Sequence, residues 1–264
     1  MNCPICFSQR TETVMEYDEY PYFTVPLSIQ DKEEILGKYD EEELHSLLRV
    51  ELCVDCNHAY LDPVPGNSML DELYSNYYTY PSPLKDKFEP IRDNQFLDYF
   101  HRRILHFCRD KGLKTVFEIG CFDGYILHNL KKYGFTVKGC DPSNGADIGN
   151  SFDIDIRKEF FNAKKFLEMK LTFDVVISRH FIEHVTDPIS YVRSFVDITN
   201  EGGIIILETP NVDYYLNKGL PEVFSLQHIM LFSKSSMRRM LNQLNFEVIT
   251  IEETPNNLIV VVKK

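Results

Sequence analysis

The sequence predicts an α/β fold, a mostly parallel sheet preceded by a small cysteine-bearing module. Three observations carry that expectation. The stretch from Thr115 to Asp141 reads strand, glycine turn, helix, strand, and its second strand ends on a carboxylate. Two further apolar runs, Phe173 to Ser178 and Gly203 to Glu208, have the composition of buried strands and are separated by a helical pattern. Two C-x-x-C pairs, Cys3/Cys6 and Cys53/Cys56, stand ahead of all of these.

Length and composition narrow the class. A chain of 264 residues holds one full α/β domain and a small appendage. Hydrophobic residues make up 44% and charged residues 26%, as in ordinary soluble globular proteins. No run of eighteen apolar residues is present, so no membrane span is expected. The N-terminus, Met-Asn-Cys-Pro, lacks a signal-peptide core, which leaves the cytoplasm as the default compartment. A net charge of −12 repels phosphate backbones and argues against nucleic acid as partner, although it does not bar a local basic pocket. Seven cysteines in a cytosolic chain point to thiols or metal ligands instead of disulfides.

Taken in order, Cys3, Cys6, Cys53 and Cys56 supply four soft ligands, the number that a closed tetrahedral zinc site takes. Two unrelated thiol pairs, or a redox C-x-x-C, are the alternatives. Between the pairs, Asp31 to Leu52 carries a helical pattern through Ile35, Leu44, Leu47 and Leu48. Residues 60 to 95 are rich in proline and tyrosine and read as a linker with helical pieces. Most of its tyrosines suit packing; Tyr78 or Tyr80 suits a lid that reaches a bound ligand. Asp93 to Arg109 reads as an amphipathic helix. Beyond Asp141, a short strand over Asp153 to Ile156 and a helix over Phe160 to Met169 lead to the Phe173 strand. Ser178, Arg179 and His180 close that strand, and ligands of parallel sheets sit at such carboxyl ends. A helix over Pro188 to Thr199 precedes the Gly203 strand. Ser233 caps a helix running to Leu244, and two strands, Phe246 to Glu252 and Leu258 to Val262, form a closing hairpin.

The glycine turn selects among ligands. It reads G-x-x-x-G with Asp123 inside, not the G-x-G-x-x-G of a dinucleotide site. A carboxylate there disfavours a pyrophosphate and tolerates a cationic or zwitterionic ligand. A plain glycine turn in another α/β fold remains the alternative. Glu118, Gly120, Gly124 and Asp141 together resemble the first motif of class I S-adenosylmethionine-dependent methyltransferases, and the closing hairpin is similar to theirs. The resemblance implies a Rossmann-like methyltransferase sheet. It implies S-adenosylmethionine held by Glu118, Gly120, Cys121, Asp123, Gly124, Asp141, Pro142, Ser178 and Arg179. The expected organisation is a zinc module over 1–62, a linker or lid over 63–92 and a methyltransferase domain over 93–264.

A narrower resemblance rests on the segment Asp174 to Val185, on Glu208-Thr-Pro-Asn, and on Gln227-His228 with Phe232-Ser233, downstream of the cysteine pairs. These resemble the nucleotide-sugar C-methyltransferases, which imply a small, nucleotide-linked acceptor and zinc as second cofactor. The chain departs from them in ending after the hairpin and in having Ser225-Leu226-Gln227-His228 where they have Tyr-x-Glu-His. Carbon methylation needs a base and enolate stabilisation, whereas an oxygen acceptor needs at most one proton removed, so the departures favour oxygen. The segment Thr209 to Phe232 reads as one long loop, which places His228 as the expected base, with His180 and Tyr80 beside it. His184 reads as a structural hydrogen-bonder. A catalytically silent binding module is the second reading. The sequence does not fix an oligomeric state.

Overall fold

The structure, a computed structural model, describes residues 2–22, 29–64, 71–77, 82–85, 102–108 and 112–264. In chain order its strands are β1 (Thr11–Pro21), β2 (His45–Cys53), β3 (Ala59–Leu61), β4 (Thr115–Ile119), β5 (Thr136–Cys140), β6 (Asp155–Arg157), β7 (Phe173–Arg179), β8 (Thr199–Pro210), β9 (Met230–Leu231), β10 (Glu247–Glu253) and β11 (Asn257–Lys263). The helices are α1 (Ile29–Lys38), α2 (Tyr125–Lys132), α3 (Gly145–Ser151), α4 (Ala163–Glu168), α5 (Pro188–Ile198), α6 (Val212–Lys218) and α7 (Lys234–Gln243), with a helical turn at 102–108. One sheet has the order β1-β2-β3-β9 and the other β10-β11-β8-β7-β4-β5-β6. The predicted α/β class, with a mostly parallel sheet and a C-terminal antiparallel pair, is what the chain forms.

By contacts the chain divides into two compact units, one of Met1–Tyr78, His180–Arg193 and Leu207–Val262, the other of Thr79–Arg179, Ser194–Ile206 and Lys263–Lys264. The cysteine pairs and the His228 segment, far apart in sequence, thus belong to the same unit.

In the second unit, β4 pairs in parallel with β5 and β7, and Ile119 stands level with Cys140 and Ser178. Three strand ends therefore coincide where the glycine turn begins. Phe117 anchors the core, its ring 4.8 Å from Phe166 and 4.7 Å from Phe173. The face of α2 that carries Ile126, Leu127 and Leu130 is buried, as its spacing predicts.

In the first unit, β1 pairs antiparallel with β2, β2 with β3, and β3 with β9. The helical pattern read over Asp31 to Leu52 is correct only for its first part. The helix ends at Lys38, and His45–Cys53 is a strand. Leu48 and Val50 are both fully buried, so the run obeys a period of two as well as the helical spacing read from Leu44, Leu47 and Leu48. Its partner β1, rich in Thr, Tyr and Glu, decides the outcome. The third strand lies at Asp155–Arg157, two residues later than expected, because Asp153 adopts a left-handed φ of 62° in the turn before it. The helix expected over Phe160 to Met169 begins only at Ala163, where Asn162 caps it by accepting from the Lys165 amide. The segment Thr209 to Phe232 is not one loop: it holds α6, a short 3-10 turn at Pro221–Val223 and β9. Ser233 caps α7 as expected. Most of the expected helix over Asp93 to Arg109, and both Tyr78 and Tyr80, lie outside the described residues.

Candidate functional site

The four cysteines meet. The Sγ atoms of Cys3 and Cys56 are 3.7 Å apart and those of Cys6 and Cys53 are 3.4 Å apart, while all four lie within 4.8 Å of one another. A tetrahedral zinc–thiolate site has sulfur–sulfur edges of about 3.8 Å, from bonds of about 2.3 Å. Both pairs use the same turn. Phe7 and Asn57, each just after a second cysteine, have φ of 61° and 56°. The Phe7 amide donates to Cys3 O and the Asn57 amide to Cys53 O, both at 2.9 Å. The amides of Ser8 and His58 donate to the sulfurs of Cys6 and Cys56. The hydrogen bond from Cys56 draws the Cys3 thiol down to about 5, while the same contact raises Cys56, so the pair shares one proton and only Cys3 leans to thiolate. Four converging sulfurs with amide support fit a soft, closed metal site; Cys3, Cys6, Cys53 and Cys56 would hold it.

The glycine turn after β4 is a self-contained arrangement. The amides of Gly120 and Cys121 donate to Cys140 O, that of Phe122 to Asp141 Oδ2, that of Gly124 to Cys121 O and that of Tyr125 to Asp123 Oδ1. These N–H groups are committed within the chain, so the turn is no phosphate cradle. Gly120 and Gly124 have φ of 68° and 72°, the left-handed region that glycine enters without cost. Asp141 ends β5 with its carboxylate fixed: Oδ2 takes the Phe122 amide, and Oδ1 takes the Ser143 amide at 2.9 Å and its hydroxyl. Three of the carboxylate's four lone pairs are thus used, and Oδ2 keeps one for a ribose hydroxyl. Pro142 follows half-buried, Ser178 is fully buried, and Arg179 is half-buried at the end of β7.

Two of the expected cofactor residues face inward. Asp123 is 1% exposed, and its Oδ2 accepts from Ser82 Oγ at 2.7 Å and from the Leu84 amide at 3.0 Å. It clamps the residues 82–85 to the turn. Cys121 is buried with its sulfur against Gly139, where a Cβ would lie only 2.6 Å from it, so only the backbone of Cys121 is available to a ligand. Burial raises its thiol well above the ordinary range. Glu118, at 3% exposure, stands beside Gly139 in the sheet register.

In the first unit a second set of groups gathers. His180, with φ of 46°, opens the segment after β7. Its Nδ1 lies 3.3 Å from Glu183 Oε1 and its Nε2 lies 3.2 Å from Glu208 Oε1, both glutamates fully buried. Burial opposes the ring's charge, but the two carboxylates outweigh it and push His180 up to about 10. As an imidazolium it would have no lone pair with which to act as a base. Burial would raise Glu183; the close contact with His180 and the nearby His184 outweigh that and hold it low. Glu208 also accepts from Asn257 Nδ2 at 2.8 Å.

His228 differs in kind. Its Nδ1 lies 2.6 Å from Val223 O, and only an N–H can face a carbonyl at that distance. Burial, aided by the charge of His184, lowers it to about 4. It is therefore neutral, with Nε2 as its lone pair. The His184 ring centre lies 5.0 Å away, and His184 Nδ1 is 2.8 Å from Gln227 O and 2.7 Å from the Tyr74 hydroxyl. Glu183, His184 and His228 each have one ligand atom within 4.8 Å of the others, a donor set that could also receive a cation. Sequence reasoning missed Tyr74, Gln227 as a main-chain acceptor, and the glutamate pair. Nothing in Leu73-Tyr-Ser-Asn-Tyr-Tyr-Thr-Tyr80 distinguishes Tyr74 from its neighbours; the π-helix at Leu73–Tyr77 sets its direction.

A Rossmann-like parallel sheet, an acid after its second strand and a glycine turn whose Gly120, Cys121, Phe122, Gly124 and Tyr125 amides are bonded within the chain define the class as a nucleoside-binding type of α/β fold without the dinucleotide glycine pattern. The chain belongs to the family described as "Methyltransferase domain", whose model matches residues 92–251. It is 33% identical over 141 residues to the ubiquinone biosynthesis O-methyltransferase of Ruegeria pomeroyi, covering 47% of this chain and 56% of that protein. It is 31% identical over 137 residues to the protein of the same name from Dinoroseobacter shibae, covering 46% of this chain and 52% of that one. The chain thus spans about half the length of these curated relatives. Its fold is similar to magnesium protoporphyrin IX methyltransferase (ChlM) of Synechocystis PCC 6803 with bound SAH, at TM-score 0.55 and 13% identity, over 75% of this chain and 100% of that one. A methyltransferase of Clostridium acetobutylicum is similar at TM-score 0.52 and 13% identity, over 68% of this chain and 98% of that one. Among the described residues no helix is long and apolar enough to cross a membrane.

Proposed function

We propose that the chain transfers the methyl group of S-adenosylmethionine to an oxygen atom of a small acceptor, with zinc in the four-cysteine centre. The cofactor would lie on the turn after β4, with Asp141 on its ribose hydroxyls and the backbone of Gly120 to Gly124 beside its amino-acid part. When bound, the cofactor supplies an electrophilic methyl group on a sulfonium, so that alignment of the acceptor supplies much of the rate. His228 would take the acceptor proton at Nε2 while Nδ1 keeps its bond to Val223 O. His180, charged and locked between Glu183 and Glu208, would contribute field and position, not proton removal.

The observation that carries oxygen over carbon is the state of His228. A base drawn down to about 4 is too weak to remove a C–H proton and suits an oxygen that is already acidic. The names of the curated relatives, ubiquinone biosynthesis O-methyltransferases, support the same reading. A nucleotide-linked sugar as acceptor rests on the cysteine pairs and the His228 segment alone, and C-methylation of a keto-sugar on the same residues. A panel of phenols, catechols and nucleotide-linked sugars, each incubated with S-adenosylmethionine labelled in the methyl carbon, separates these readings. We expect the label on oxygen. Label on carbon would refute the oxygen reading, and no binding of S-adenosylmethionine by calorimetry would favour the silent module. With an acceptor in hand, His228→Asn should lower kcat roughly 100- to 10,000-fold with cofactor affinity kept. The acid limb of the wild-type kcat profile should fall near pH 4, not near 6.5. A limb near 6.5 would assign the base elsewhere.

A further inference from the structure

The four-cysteine centre and His228 are joined through a short, continuous set of contacts. The carbonyl of Cys56 accepts two hydroxyls, Ser233 Oγ at 3.1 Å and Ser235 Oγ at 2.7 Å. Cys56 is one of the four converging sulfur residues, so its backbone is tied to the centre. From Cys56 the chain turns through Asn57 and enters β3, which pairs with β9, Ala59 opposite Leu231 and Tyr60 opposite Met230. One residue further, the Leu61 amide donates to Ile229 O at 3.0 Å. Ile229 is the neighbour of His228. Each end of the segment Ile229–Ser233 is therefore bonded to residues 56–61.

The space between is filled. His58 is fully buried, 4.7 Å from the Phe232 ring and 6.0 Å from the Tyr60 ring, with Nε2 3.5 Å from Met230 Sδ. Met230, Leu231 and Phe232 are each at most 2% exposed. Close-packed segments of this kind move as a unit, since no void permits independent displacement. Ser233 has a second duty, because it also caps α7 by accepting from the Ser236 amide at 3.0 Å. Ser235 has no cap bond, and its hydroxyl reaches Cys56 O and Ser233 Oγ.

We propose that Ser233 and Ser235 are positioning residues that set the place of His228 from the four-cysteine centre, with the Cys56 carbonyl as the joint. The metal's role is then to hold the acceptor-side base in place, in addition to stabilising its own module. The cofactor turn takes no part in this link. The inference rests on the reading of the cysteines as a metal centre only for its metal-dependent half; the serine joint stands on hydrogen bonds within the chain.

Hydrogen exchange of the full chain tests it, read at residues 229–235 and at residues 119–125. Ser235→Ala should raise exchange at 229–235 about tenfold, as loss of one hydrogen bond does. Exchange at 119–125 and the affinity for S-adenosylmethionine should be unchanged, and Ser235→Thr should restore the wild-type rates. Chelation of the metal should raise exchange at 229–235 as strongly as at 53–61. Wild-type exchange at 229–235 in Ser235→Ala would overturn the joint. If the purified protein holds no metal, yet Ser235→Ala loosens 229–235 and Ser235→Thr restores it, the joint stands and the metal reading fails. If chelation unfolds the whole chain, the Ser235 pair of variants decides alone.

Discussion

Asp141 shows how one side chain can be legible in sequence and still carry more than the sequence suggests. Its position at the end of β5 is read directly from the pattern, but the bonds from Phe122 and Ser143 that fix its carboxylate come from a turn whose conformation is not. Asp141→Ala should weaken S-adenosylmethionine binding by about 2–3 kcal/mol, the usual range for hydrogen bonds to a charged group. Isothermal titration checks this, and an unchanged affinity would move the adenosyl site away from β5. Asp123 and Cys121 lie in the same turn and fit the same motif, yet the one clamps Ser82 and Leu84 and the other fills the space over Gly139. A motif gives the backbone path and leaves the side-chain direction open. The sequence ranks His228 ahead of His180 as base by its place in the chain, but says nothing of their charge states. Their opposite charge states follow from Glu208, twenty-eight residues beyond His180, which raises the one, and from burial, which lowers His228 although the Val223 carbonyl works against it. Contacts of that separation leave no local trace.

At the scale of elements, strand and helix types were legible wherever one period dominated, as in β4, β7, α2 and α7. They failed where two periods fit, as in β2, and where no apolar period existed, as in β1, whose eleven residues alternate no hydrophobic face. The β1 strand is held by pairing with β2, a tertiary cause. Gly124 illustrates an element boundary set by packing as much as by ligand. It precedes α2 with φ of 72°, and a Cβ there would sit 2.8 Å from Ile156 Cδ1 and 3.2 Å from Ile154 Cγ2. The isoleucine ends can shift, so most of the cost of Gly124→Ala is the left-handed backbone, roughly 1–2 kcal/mol. Thermal unfolding should show a loss of a few degrees. An unchanged midpoint would mean that the turn relaxes to a negative φ. The cysteine pairs make a separate element-scale prediction. Purified protein should contain one zinc ion per chain, by elemental analysis, and Cys53→Ser should lose it together with stability, since metal binding in such modules is coupled to folding. A Cys53→Ser protein as stable as the wild type would mean that the module folds without metal.

For the molecule as a whole, His228 and His180 act on its stability on opposite sides of neutral pH. His228 is drawn down to about 4 by burial in the folded chain, against about 6.5 when unfolded. Between those values the unfolded chain binds the extra proton, so stability falls as the pH drops from about 6.5 and levels off below about 4. The slope for one proton is about 1.4 kcal/mol per pH unit. His180 behaves in the reverse sense. Partial desolvation opposes its charge, the two glutamates raise it to about 10, and its contribution is complete below about 6.5 and lost as the pH rises through 10. Its ring is 44% exposed, so solvent screening reduces that contribution. Urea unfolding of wild type and His228→Asn at pH 7.5, 6 and 5 isolates the acid side, because all other titrating groups are common to both proteins. The wild type should lose stability faster than the variant over that range, by up to about 1.4 kcal/mol per pH unit, and the two should run parallel above pH 7. Parallel curves throughout would mean that His228 is protonated alike in the folded and unfolded chains, and with that its service as a neutral base would fall.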